Sequence, residues 1–260
     1  MTSGTGLASG VRGLVGSSAV YGLGSILTRG IAFLLLPVYT RYLAPADYGL
    51  VMVTATIVAI LGVVYPLGLH GALSRFYFAT ESPEERRARS GTIWIATLLG
   101  AAVMAPLAEV VGPRLMPALL PDVPFSPYAR LAIWTAFFAT FSLGPLIVLQ
   151  LQERPGAYVA TSLFTTLATT ACVLTGVVVL RQGALGYLWG GVVGAALAAI
   201  WYSAIAFKNM RLTLRRGVLV SALAYGLPLV PHALAGWVLE LSDRAILARF
   251  VPLAEVGVYS

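Results

Sequence analysis

Seven stretches of this chain, at about 15–37, 48–71, 91–111, 129–150, 157–180, 184–207 and 218–247, run with few charges for the length of a membrane-spanning helix. A helix crosses the hydrocarbon core of a bilayer with roughly 20 apolar residues, and inside that core every backbone polar group must be satisfied within the protein. Apolar runs of this length and number leave an all-α, polytopic membrane protein as the fold class, with the start of an eighth run before Ser260. The runs are continuous, unlike the alternating segments of about ten residues that build a β-barrel. With 58% apolar and 10% charged residues and a mean hydropathy of +0.86, the chain has too little polar surface to cover a soluble domain of 260 residues. The first run extends to Pro37 without a basic stretch, short apolar core and cleavage site before it, so it reads as a retained helix.

The charges that remain set the orientation. With the N-terminus in the cytoplasm, the inside segments hold Arg12, Arg75, Arg86, Arg87, Arg89, Arg154, Lys208, Arg211, Arg215 and Arg216, and the outside segments hold Arg41, Arg114, Arg130, Arg181 and Arg249. That asymmetry favours a cytoplasmic N-terminus. The net charge of +7 therefore points to loops facing anionic lipid and not to nucleic acid. No connection is long enough for a soluble catalytic domain. The longest, Ala72 to Ser90, reads as a solvated loop or short helix, and the proline-rich stretch Pro113 to Pro127 reads as an outer loop folded against the membrane interface.

The chain also begins to repeat itself. Arg41 to Leu50 (RYLAPADYGL) is echoed by Arg249 to Val258 (RFVPLAEVGV), and Tyr21-Gly22-Leu23 by Tyr225-Gly226-Leu227. Six helices separate the copies, an even number that restores the same orientation, so two lobes would be related by an axis along the membrane normal. The ending at Ser260 reads as a cut through the second lobe. Within the spans, Gly186, Gly190, Gly194 and Ala198 recur every fourth residue and predict a close helix-packing seam. Pro66, Pro106, Pro145, Pro228 and Pro231 predict bends.

Few side chains are candidates for chemistry. Arg29 lies about 18 Å along its helix from Ser17 and about 12 Å from Pro37, near the middle of the membrane. An arginine there costs about 3 kcal/mol or more, so it should face the bundle interior or a watery cavity, against a ligand or against one of the embedded acids Glu109, Glu240 and Asp243. Arg75 closes the second span, as a headgroup anchor or as a first contact for phosphate, whose oxygens a guanidinium binds in pairs. Glu240, Asp243 and Arg244 cluster near the end of the seventh span, as a local ion pair or as a site for a coupled proton or sodium ion. The chain has no phosphate loop with lysine, no HExxH and only three aspartates, and its lone Cys172 forms no internal disulfide. Neither an enzyme nor a metal centre is expected.

Three segments together resemble a known family: RYLAPADYG after the first span, GLHGALSRFYF closing the second, and SDRAILARF with AEVGVYS after the seventh. They resemble the Wzx-type polysaccharide flippases of the multidrug/oligosaccharidyl-lipid/polysaccharide exporter superfamily, although Ala44 stands where glycine is expected before the proline. The resemblance implies a bundle of two lobes around a cationic cavity, in a bacterial inner membrane. It would flip an undecaprenyl-diphosphate-linked glycan by alternating access, with a polysaccharide polymerase and other assembly proteins as further partners. Arg29 and Arg75 would then meet the diphosphate or acidic sugars, and Asp47 with Gly49 and Glu255 with Gly257 would be structural turn residues. The implied division is a tail at 1–14, a six-helix lobe at 15–207, a basic linker at 208–217 and the start of a second lobe at 218–260. A cation-coupled drug exporter of the same superfamily and a membrane glycosyltransferase or ligase remain the alternatives.

Overall fold

The computed structural model describes residues 4–121 and 123–236, and all regular structure there is helical. Helix α1 spans Gly4–Tyr42, α2 Pro45–Val64, α3 Leu69–Tyr77, α4 Pro83–Leu119, α5 Arg130–Ala139, α6 Leu143–Leu151, α7 Pro155–Leu174, α8 Gly183–Asn209 and α9 Arg216–Gly226. A 3-10 turn at Thr140–Ser142 joins α5 to α6, and helix resumes over 229–236 after a turn at Leu227-Pro228. Seven spans are long and apolar enough to cross a membrane, in the order the apolar runs predict. The starts are written locally: Pro45, Pro83 and Pro155 occupy first-turn positions where a missing N–H costs nothing, and Ser82 accepts from the Glu85 amide.

The second and third spans differ most from the expectation, while the first is longer, helical from Gly4 to Tyr42 against about 15–37, and the seventh is interrupted by the turn at Leu227-Pro228. The second, expected as one helix at about 48–71, is broken. After Pro66, which has no N–H to donate, Leu67 and Gly68 turn left-handed at φ 52° and 68°, and α3 starts afresh. Left-handed backbone is strained for leucine, and the break is held by two neighbours. Gly100 of α4 leaves room for the Leu67 side chain, and Gly226 of α9 lies so close that a Cβ there would stand 2.7 Å from the Leu67 carbonyl oxygen. The third span is longer than expected. Its 37 residues measure about 55 Å against about 30 Å of hydrocarbon, so it passes through Pro106, Pro113 and Pro117 without stopping. The stretch expected as an outer loop from Pro113 is therefore helix as far as Leu119. Where the helix extends beyond the hydrocarbon, water can satisfy a carbonyl that a proline leaves without a donor.

The core is distributed in patches between the helices. One joins α3, α4, α6, α8 and α9 through Leu69, Leu73, Tyr77, Ile93, Trp94 and Met210. Another closes the far end around Val53, Met116, Leu120 and Val123. The glycine seam is α8 against α7. Gly186 meets the backbone of Gly176, a Cβ on Gly190 would stand 2.5 Å from the Val173 Cα, and one on Gly194 would stand 2.6 Å from the Thr169 Cα. The fourth member, Ala198, lines a cavity.

Between α8 and α9 the chain runs as a strap over the first turns of α4. The Arg211 amide donates to the Arg87 carbonyl at 3.0 Å, the Arg87 guanidinium to the Lys208 carbonyl at 2.9 Å, and the Thr92 hydroxyl to the Thr213 carbonyl at 2.6 Å. Arg215 pairs with Glu85, which also pairs with Arg89 at 3.0 Å. Gly91 makes the approach possible, because a Cβ there would collide with the Arg211 carbonyl. The charged stretch after Thr80, expected to be merely solvated, is thus where the strap is fastened.

Candidate functional site

Helix α1 leans on α7 along a line of small and aromatic residues. Gly24 takes the Val159 side chain and Tyr21 meets Tyr158 edge to face at 5.2 Å, while farther along α1 Tyr39 meets Tyr187 of α8 in the same way at 5.3 Å. Beside the first of these contacts lies a groove of about 420 Å³ into which Arg29 projects with Ser25, Thr28, Gln150, Tyr158 and Ser162. Arg29 is exposed, about 16 Å along α1 from Ser18 and about 20 Å from Tyr42, the ends of that span. Among the described residues, no ion pair includes it. Glu109, one of its possible acidic partners, is engaged elsewhere: it accepts from the Arg130 guanidinium and from the Trp134 indole, each at 3.0 Å. The guanidinium offers donors only, and the hydroxyls and amide around it can donate as well, a set suited to an anion with several oxygens.

Arg75 has a different setting. It is exposed on α3 with its guanidinium 4.8 Å from the centre of the Tyr225 ring of α9, and Tyr225 in turn lies edge to face with Phe76. This is a cation–π contact close to where the break in span two rests on Gly226. Arg29 and Arg75 line no common cavity among the described residues. Asp47 stands in the first turn of α2 and also touches the start of α8, since a Cβ on Gly183 would lie 2.8 Å from its carboxylate. One negative charge thus faces the positive ends of two helices. Gly49 is buried nearby, in the same first turns of α2. Glu240, Asp243, Arg244, Glu255 and Gly257 lie outside the described residues.

A second cavity, of about 490 Å³, opens between α2, α5, α7 and α8. Its hydroxyls come mainly from α7, where Thr165, Thr166, Thr169 and Thr170 face it, with Tyr187 and Tyr202 opposite on α8. The Thr165 and Tyr202 hydroxyls are 2.9 Å apart. Reading the sequence for charge passed over this site, yet it had a signal. Paired hydroxyl residues at 161–162, 165–166 and 169–170 return once per helical turn and so mark one face. Among the described residues, no cluster of three or more histidine, cysteine or acidic side chains gathers that could hold a metal ion.

Comparison with known families adds one finding: a model described as polysaccharide biosynthesis protein matches residues 14–260. No curated protein and no solved structure matches the chain.

Proposed function

The chain belongs to the polysaccharide biosynthesis protein family, and from that premise we propose that this multi-pass membrane protein flips a lipid-linked oligosaccharide, carried on undecaprenyl diphosphate, across a bacterial inner membrane. The observation that carries the reading is Arg29. It is a mid-membrane guanidinium in a hydroxyl-lined groove, without an acidic partner among the described residues. Keeping such a charge in the membrane costs about 3 kcal/mol or more, a cost that an anionic ligand such as a diphosphate offsets. Arg75, at the basic end of the broken second span, supplies a second phosphate contact once its cation–π partner Tyr225 moves away. The N-terminus faces the cytoplasm, the reaction involves no covalent chemistry, and the acids Glu240 and Asp243 with Arg244 couple the movement to protons or sodium ions. A polysaccharide polymerase and related assembly proteins act on the delivered glycan.

The test is translocation of an undecaprenyl-diphosphate-linked glycan in proteoliposomes, followed by access of an external probe to the sugar. Arg29→Ala is expected to lower the rate at least tenfold, a barrier of about 1.4 kcal/mol, and Arg29→Lys to restore part of it. Normal translocation by Arg29→Ala would refute the assignment.

A further inference from the structure

We propose that the cavity between α2, α5, α7 and α8 binds uncharged sugar rings, and that it holds the first sugars of the glycan while the diphosphate lies at Arg29; this placement rests on the flipping function proposed above.

Three observations carry the inference. First, none of the residues lining the cavity is charged. In the interior of a membrane protein, a charged ligand would lose its hydration and find no counterion there, so the cavity discriminates against acidic sugars and cationic drugs alike. Second, its polar surface consists of hydroxyls with bonding capacity to spare. Among the described residues, the side chains of Thr166, Thr169, Thr170 and Tyr187 make no hydrogen bond, and each hydroxyl both donates and accepts. A polyol matches this set, whereas an acyl chain would leave it unpaired at a cost. Tyr187 and Tyr202 add aromatic carbon to the lining, and about 490 Å³ falls within the range of roughly 300–1,000 Å³ typical of small-ligand sites.

Third, the cavity is in line with the arginine groove. Ser162 lines the groove and Thr166, the next turn of the same helix, lines the cavity. The step between them is about 6 Å, roughly the separation between the centre of a diphosphate and the centre of the sugar ring it carries. The face of α7 therefore passes from an anion-binding level to a hydroxyl-binding level in the order in which the ligand presents phosphate and sugar.

The test uses the chain in lipid nanodiscs and two probes that differ at one carbon, methyl β-glucoside and methyl β-glucuronoside, titrated by ligand-detected NMR. The neutral glycoside is expected to bind at least tenfold more tightly than the acid. The triple variant Thr166→Val, Thr170→Val and Tyr187→Phe, which keeps the volumes and removes three hydroxyls, is expected to lose that binding. Thr56→Val, whose hydroxyl is bonded within its own helix away from the cavity, should leave it intact, and the melting temperature of each variant reports on folding. Equal binding of both probes, no binding of the glucoside by the unaltered chain, or unchanged binding by a folded triple variant would each overturn the inference. Translocation of the lipid-linked glycan is measured separately. Glucoside binding without translocation would refute flipping and leave the cavity assigned, and translocation without glucoside binding would do the reverse.

Discussion

Gly190 and Gly191 are neighbours on α8, and replacing each with alanine has opposite expected outcomes. At Gly190 the new Cβ would stand 2.5 Å from the Val173 Cα and 2.6 Å from the Cys172 carbonyl oxygen, both backbone atoms that no rotamer change can move aside. Carbon atoms rest at about 3.5–4.0 Å, so α8 must retreat from α7 by about 1 Å, a gap that forfeits up to about half of each dispersion contact. Gly186 and Gly194 make equally close contacts one turn away on either side, so the retreat is felt along the whole seam. Overpacking of this kind costs about 1–3 kcal/mol, and contact with two backbone atoms that cannot yield puts it at the upper end, about 2–3 kcal/mol, of which the helix preference of alanine over glycine returns about 1 kcal/mol. The net loss is about 1–2 kcal/mol, or a fall in melting temperature of roughly 2–8 °C at about 2–4 °C per kcal/mol. A Cβ on Gly191 meets nothing within 4 Å, so Gly191→Ala keeps the preference alone and should raise the melting temperature by roughly 2–4 °C. The assay is thermal unfolding of the detergent-solubilised chain followed by tryptophan fluorescence. If both variants shifted together, or Gly190→Ala melted at or above the unaltered temperature, the α7–α8 seam would not be as close as described.

Other expectations concern the strap and the ion pair at the opposite end. Hydrogen bonds from Arg89 and then Arg215 hold the Glu85 carboxyl below its ordinary range. Because the folded value is depressed, its contribution is fully present above the unfolded value of about 4.3 and is lost as pH falls through the folded value. Hydrogen exchange at Arg211–Arg215, corrected for its intrinsic pH dependence, should therefore accelerate below about pH 4, and Glu85→Gln should show the faster exchange already at neutral pH. Gly91→Ala should lift the strap from α4, and trypsin should then cut after Arg211 and Arg215 severalfold faster, with little change at Arg154. Glu109→Leu should destabilise the α4–α5 contact by about 1–3 kcal/mol, because the Trp134 indole and Arg130 both lose their acceptor, and Glu109→Gln, which still accepts from the indole, should cost less. Thermal unfolding of the two variants measures the difference.

What the sequence displays directly is whatever lipid dictates. The seven spans follow from apolar length, because a buried backbone outside a helix cannot be satisfied, and the Gly186, Gly190 and Gly194 spacing follows from the geometry of one helix face. Features decided between distant segments are not displayed. Pro66 signals a bend, but the full break at Leu67-Gly68 depends on the close approach of Gly226 from well over a hundred residues away, and nothing local to span two records it. Pro113 and Pro117 look like loop residues because a proline removes a helix hydrogen bond, whereas α4, about 25 Å longer than the hydrocarbon is thick, carries both without stopping. The arginine groove was half legible: Arg29 stands out by its charge, while Tyr158, Ser162 and Gln150 become its neighbours only through the packing of α1 on α7. The threonine pairs of α7 were visible as a pattern, and neutrality hid them from a search for charge.

The strap bears on how this chain can be recombined with relatives. Residues 210–215 look like a natural seam for exchanging halves, being short, basic and without regular structure. Yet they are fastened to α4, and α9 beyond them supplies Ala222 to the core shared with α3 and α4. A chimaera joined within that stretch would pair α4 of one parent with a foreign strap and a foreign α9, disturbing Gly91, Glu85 and the Gly68–Gly226 contact at once. A crossover after Pro228, where the helix has already turned, keeps all of those partners from a single parent.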